Sequence, residues 1–203
     1  MLRASEVSPR MFDSDLFDFF SRTPWWVVPL IWLPVAGGML TLGLVRGVPL
    51  LWALPQVVGG VVAWTLAEYL LHRTLFHWVP ATSWGPRFHF FLHGVHHQWV
   101  NDPYRLVMPP AASAALAVLF TGIFRLLLGP TWMWPLFAGF VVGYVIYDVS
   151  HYALHHFKWK MRWFVQLKSH HMSHHHNPRY AELRFGVSSR IWDRVFGTME
   201  PKA

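Results

Sequence analysis

Along most of this chain apolar residues do not alternate with polar ones; they run together. Four stretches, roughly residues 25–45, 50–71, 109–128 and 132–152, are apolar almost throughout. Each reaches the ~20 residues an α-helix needs to cross ~30 Å of hydrocarbon at 1.5 Å per residue. The turn "RGVP" separates the first two and "GPT" the last two, so the pattern predicts two helical hairpins. Ahead of them Phe12, Leu16, Phe19 and Phe20 recur at i, i+4, i+7 and i+8. That period predicts a short amphipathic helix lying on a membrane surface within residues 1–24. The expected fold is all-α and integral to a membrane, as one domain over residues 1–203 with four transmembrane helices in two hairpins.

Composition supports this class. Hydrophobic residues make up 54% of the 203 and charged residues 13%, against about a quarter charged in soluble domains. The 13 tryptophans suit bilayer interfaces. With no cysteine, disulfides, thiolate metal sites and iron–sulfur clusters held by this chain alone are excluded. Acidic residues stand where a secretory signal has its basic and apolar regions, so no such signal is expected.

Charge sets the orientation. Of 17 lysines and arginines, fifteen lie before the first run, between the second and third, or after the fourth, from Arg3 to Lys202. Only Arg46 and Arg125 lie near the other side. The positive-inside rule then puts both termini and the central loop in the cytoplasm, in a bacterial inner membrane or the endoplasmic reticulum. No basic element forms a soluble face for nucleic acid. The C-terminal arginines suit anionic lipid headgroups, at about 1 kcal/mol each.

All 14 histidines fall on that same side or at the span ends that enter it. They cluster as "HRTLFH" (His72, His77), "HGVHH" (His93, His96, His97), "HYALHH" (His151, His155, His156) and "HHMSHHH" (His170, His171, His174, His175, His176). Residues at i, i+3 and i+4 share a helix face. His93, His96 and His97 therefore converge if helical, as do His171, His174 and His175, and His151 pairs with His155. His72 and His77 are about 140° apart on an α-helix, so they share a site only if the helix ends or loosens between them. A helix from Leu50 to His77 is about 40 Å long and overshoots the hydrocarbon by about 10 Å. Span four likewise carries His151 and His155 beyond it, and a histidine-rich helical cap on the cytoplasmic side is expected. Neutral imidazole binds zinc, copper, iron and nickel. Ten ligands exceed the four of one tetrahedral zinc and suit two metals with five or six each. His89 is isolated and reads as interfacial. His156, His170 and His176 flank better-placed neighbours and are expected to support them or to lie at the surface.

In order and spacing, "EYLLHRTLFH", "LHGVHH", "DPYRLVMPP", "GYVIYDVSHYALHH", "LKSHHMSHHH" and "FGVSSRIWDRVFGT" resemble the fatty acid hydroxylase superfamily of membrane di-metal oxygenases. Within it they look most like the sphingolipid fatty acid 2-hydroxylase branch. The histidine boxes are shared with desaturases and sterol oxidases; "RLVMPP" and "WDRVFGT" narrow the match. The resemblance spans roughly residues 60–198 and implies the ten ligands His72, His77, His93, His96, His97, His151, His155, His171, His174 and His175. It also implies two iron ions that activate O2 and hydroxylate the carbon beside an acyl carboxyl or amide. Zinc could occupy the site but has no redox chemistry. Val100 and Asn101 stand where the family more often has proline and an aromatic residue, and His176 where it usually has an aromatic.

Asp148 and Glu68 lie about one turn before His151 and His72. Acids at membrane level are costly, and each is expected to accept the second ring N–H of a ligand histidine, with Asp148 the candidate catalytic residue. Tyr144 and Tyr147 are candidate acyl-pocket residues, with aromatic packing between helices the other reading, and Leu71 is expected at the entrance. The 24 residues before span one are too few for a cytochrome b5 domain, so a separate cytochrome b5-like or ferredoxin donor is expected. A desaturase, or a hydroxylase of a sterol, carotenoid or ornithine lipid, would use the same metal chemistry. Transport of metal needs polar residues near the midplane; spans one, two and four carry no charged residue before Glu68 and Asp148 at their inner ends, and Arg125 is near the outer end of span three.

Overall fold

In hydrocarbon there is no water to satisfy backbone N–H and C=O groups, so long apolar runs close their bonds within helices. The computed structural model describes residues 8–201, and its regular elements are all helical. Arg3 and Lys202, counted above among the inward charges, lie outside the described residues. The α-helices are α1 (Asp15–Phe20), α2 (Val27–Val45), α3 (Leu50–Leu71), α4 (Gly85–His89), α5 (Val95–Gln98), α6 (Pro110–His156), α7 (Arg162–His176) and α8 (Ile191–Val195). Among the described residues three are long and apolar enough to cross a membrane: α2, α3 with its extension to Phe76, and the 47-residue α6.

The last of these is not one rod. Gly129 has φ 75° and ψ 173°, a region reached essentially by glycine alone. Phe120 and Phe140 meet with ring centroids 4.6 Å apart, and Phe124 meets Phe137 at 5.6 Å. Twenty residues of continuous helix would separate the first pair by ~30 Å. The chain therefore folds back at Gly129, within the predicted "GPT" turn. On the same end Arg46 donates to the Pro130 carbonyl (2.9 Å) and lies over the Trp134 ring, which ties the α2–α3 turn to the turn in α6.

The returning half of α6 packs against α2 and α3, and backbones touch where glycines permit. A Cβ at Gly139 would lie 1.9 Å from the Val57 carbonyl oxygen, and one at Gly60 2.0 Å from that of Leu136. Gly139 and Gly143 form the small-xxx-small spacing that lets membrane helices approach closely. Outward, Leu51, Val58, Val62, Leu126 and Leu127 are exposed, an apolar belt that in a soluble protein would be a liability.

The N-terminal segment is inside-out by soluble standards. Asp18 of α1 is buried, while Leu16, Phe17, Phe19 and Phe20 are 62–70% exposed. Phe12, expected on the same face, precedes the helix and stacks on Phe91 at 5.1 Å. Asp18 accepts the Met11 N–H and the guanidinium groups of Arg22 and Arg105, and Arg105 also donates to the Pro9 carbonyl and Ser21 hydroxyl. Burial alone would raise the Asp18 carboxyl, but these donors hold it well below the usual range. Asp18→Ala leaves the buried Arg105 without its counter-charge, which is strongly destabilising locally. The strap should then be cut sooner by protease within residues 8–22 while the rest stays intact. Unchanged cleavage would show that the Phe12–Phe91 contact suffices.

Candidate metal centre

Two local departures from α-geometry aim the histidines. His72–Phe76 and Phe90–Gly94 are π turns. The first carries the bond from His77 N–H to the His72 carbonyl. With i→i+5 bonds the turn widens, so residues five apart align, and the His72 and His77 rings lie 5.0 Å apart. The second π turn places His93 at the root of α5, with His97 one turn later.

Ten histidines then form two adjoining groups, each with one nitrogen per ring lying within 4.8 Å of all the others. The first holds His72, His77, His93, His97 and His174; the second His96, His151, His155, His171 and His175. In the first, Nε2 of His93 is 3.0 Å from Nε2 of both His72 and His97, and His174 Nε2 is 3.1 Å from His77 Nε2. In the second, His171 Nε2 lies 2.9 Å from His155 Nε2 and 3.1 Å from His175 Nε2, which is itself 3.1 Å from His96 Nε2. The rings of His97 and His175 join the groups at 4.3 Å.

The protonation state suits a cation. Burial first, then neighbouring imidazoles, hold His77 down to about 2 and His97 to about 3. The same causes hold His93, His96, His171 and His175 well below the ordinary histidine value. These rings are neutral and keep lone pairs. His72 Nδ1 donates to the Phe185 carbonyl (2.6 Å) and His174 Nδ1 to the Leu183 carbonyl (2.7 Å). A carbonyl only accepts, so in both rings Nε2 is the bare nitrogen and faces the group. Both nitrogens of His151 and Nδ1 of His171 and His175 are buried without a partner among the described residues. Buried polar atoms are costly unbonded, and an ion in the second group would relieve that cost at one His151 nitrogen; the Nδ1 atoms of His171 and His175 are the ring nitrogens opposite their Nε2 contacts. The donor set, all neutral imidazole, fits borderline divalent metals such as iron or zinc.

The two acids act differently from expectation. Neither Asp148 nor Glu68 touches a ring nitrogen. Asp148 accepts the Met108 N–H (3.1 Å) and the Tyr144 hydroxyl (3.0 Å). Glu68 accepts the N–H groups of Val187 (3.3 Å) and Ser188 (2.8 Å) and the Ser188 hydroxyl. Each pins a loop that passes the end of its helix, and backbone carbonyls take the role of fixing ring tautomers. His170 stands outside both groups and donates to Asp193 (2.9 Å). His156 stacks on Tyr152 at 4.3 Å, and His176 is exposed.

A cavity of about 360 Å³ opens beside both groups. His93, His96 and His151 stand in its wall with Tyr147 and Asp148, and Leu75, Phe76, Phe91, Val107 and Leu116 supply much of its apolar lining. Tyr144 lines a much smaller neighbouring pocket with Trp32 and Trp64. Leu71 packs on the core instead; the π turn carries the cavity-facing positions on to Leu75 and Phe76. Arg105, the first residue of "RLVMPP", also lines the cavity, a place that no spacing along the chain marks. Asp193 is buried; it stands in the stretch "WDRVFGT", where no spacing singled it out as part of the site.

Residues 57–198 match the family model described as fatty acid hydroxylase. The dihydroceramide fatty acyl 2-hydroxylase FAH2 of Arabidopsis thaliana is 42% identical over 195 residues, covering 94% of this chain and 80% of the relative. The ceramide very long chain fatty acid hydroxylase SCS7 of Saccharomyces cerevisiae is 43% identical, covering 88% of this chain and 46% of its own length. Rat fatty acid 2-hydroxylase is 35% identical, with 95% and 57% covered. Among solved structures, full-length scs7p, in which only the hydroxylase domain is visible, superposes with a TM-score of 0.86 at 40% identity, covering 95% of this chain and 74% of that one.

Proposed function

The chain belongs to the fatty acid hydroxylase family, and from that premise we propose that it hydroxylates the carbon next to the carbonyl of a membrane fatty acyl chain, free or amide-linked in a sphingolipid. The observation that carries this reading is the apolar cavity ending on His93, His96 and His151. One acyl segment there lies beside both histidine groups at once. The relatives named for dihydroceramide and ceramide acyl chains support the substrate class.

The ten histidines hold two metal ions, five rings to each, and iron is the working metal. Bound iron supplies the redox chemistry that couples O2 reduction to hydroxylation of a C–H bond, which zinc does not. The balance takes one O2, two electrons and two protons per acyl chain and returns the hydroxyl and one water. The electrons come from a separate cytochrome b5-like or ferredoxin carrier. The chain's own residues bind and orient. Leu75, Phe76 and Leu116 grip the chain, while Asp148 and Tyr144 fix the Met108 backbone in the cavity wall. The apolar part of the lining limits water around the reacting carbon.

The two rods of α6 with α2 and α3 make four membrane crossings. The site faces the cytoplasm, because the basic residues cluster at the histidine end. Only carbons near the carbonyl then reach the histidines, while the tail stays among the helices.

Lipid mass spectrometry of cells with and without the protein tests the activity. One added oxygen, mapped to the carbon beside the carbonyl, is expected. A hydroxyl near the methyl end, or a double bond, would instead make it a hydroxylase of another position or a desaturase. Leu116→Trp, which puts an indole into the apolar lining of the cavity, should lower turnover of long chains more than of short ones and leave metal content unchanged. Equal turnover across chain lengths would put the tail elsewhere.

A further inference from the structure

Resting on the two-ion reading above, we propose that Asp193 is a positioning residue that sets the ring orientation and tautomer of His72 and His174, and so readies the first histidine group selectively. Asp193 has no exposed surface and collects four donors. Its Oδ1 accepts the Phe185 N–H (2.9 Å) and the Thr198 hydroxyl (2.7 Å); its Oδ2 accepts the Gly186 N–H (2.9 Å) and His170 Nε2–H (2.9 Å). Two of these come from consecutive backbone amides, so the segment 183–186 is wrapped around the carboxylate.

That wrapping decides where the segment's carbonyls point. The Leu183 and Phe185 carbonyls receive the Nδ1–H groups of His174 and His72. The chain approaches the acid so closely that Gly186 has no room for a side chain. A Cβ there would sit 2.8 Å from Asp193 Oδ2 and 2.0 Å from the Ser189 carbonyl oxygen. From the far side Glu68 holds Val187 and Ser188, and the Arg184 N–H donates to the Thr198 carbonyl (2.9 Å). The segment is thus clamped between two carboxylates, one on α3 and one on α8.

Among the described residues the second group takes no bond from segment 183–186; its His155 bonds the Val100 backbone instead. Nδ1 of His171 and of His175 and both nitrogens of His151 have no partner among the described residues. The effect of Asp193 therefore falls on one ion. An amide cannot replace it: asparagine has one accepting oxygen, and its NH2 would face two of the four donors.

The test uses the full chain purified in detergent, stripped of metal and titrated with zinc(II) against a chromophoric chelator. The unaltered protein should take up two ions. Asp193→Asn should weaken one of the two by about 10–100-fold, the usual effect of losing a group that orients a metal-bound histidine, and leave the other unchanged. Histidine ring 15N spectra should show His72 and His174 losing their fixed Nδ1–H tautomer. Thr198→Val, which removes one donor but keeps the carboxylate, should show a smaller loss of the same ion, and it decides alone if Asp193→Asn does not accumulate as folded protein. With two ions on the unaltered chain, equal weakening of both in the variants, or of neither, overturns the role given to Asp193. Fewer than two ions on the unaltered chain overturns the two-ion reading, and this inference with it.

Discussion

His93→Ala is expected to reduce the bound metal from two ions to one and to lower turnover far beyond the ~10–100-fold that follows loss of a group merely orienting a ligand. His93 is the centre of the first group, its Nε2 3.0 Å from those of His72 and His97. Its ring also stands in the cavity wall, so no other group in the first set is as close to both the ion position and the acyl chain. Metal analysis alongside lipid turnover checks it. Two ions retained with near-normal turnover would remove His93 from the ligand set. The neighbouring His89 offers the control: it is outside both groups, and His89→Ala should keep both ions.

The second large effect is expected at Asp148, where two substitutions separate shape from charge. Asp148→Ala strips the acceptor from the Met108 N–H and the Tyr144 hydroxyl, both buried or nearly so. Leaving such donors unpaired costs about 1–3 kcal/mol each, and the Met108 wall of the cavity relaxes in response. A ~1 Å misplacement of a reacting group can cost about 100-fold, so turnover should fall by that order while both ions remain. Asp148→Asn can keep one oxygen toward the same two donors and should be much milder. If asparagine is as damaging as alanine, the carboxylate charge itself acts on the substrate. If either variant loses metal, Asp148 supports a histidine after all.

These two residues also show how far a sequence can be read. That an acid one turn before a histidine at a span end is buried and has a purpose was legible, because a carboxylate at membrane level is costly. Its partner was not. Asp148 bonds Met108, forty positions away, and Glu68 bonds Ser188, 120 positions away; helical periodicity says nothing about loops that arrive from elsewhere. The pairing of His72 with His77 was legible only as a condition, that the helix loosen between them, and the π turn His72–Phe76 meets it. Leu71 was placed one turn short of the cavity because that same widening shifts the register. Asp193 stood in "WDRVFGT", but its role was not legible, since a hub of four hydrogen bonds to residues 170–198 has no spacing rule of its own.

What the sequence determined by itself is what depends on local chemistry. Runs of apolar residues must be helical in hydrocarbon, Gly129 must break the longest of them, and histidines four residues apart must share a face. Only the tertiary structure decided how the histidines are divided. In "HGVHH" His93 and His97 join one group and His96 the other; in "HHMSHHH" His174 goes to the first, His171 and His175 to the second. At 100° per residue, His93 and His97 differ by ~40°, while His96 lies ~60° to the other side of His93. Each helix thus presents two faces, and which face meets α3 and which meets α6 is set by long-range packing. That packing is fixed by glycine contacts such as Gly139 against Val57, between segments whose adjacency no local pattern records.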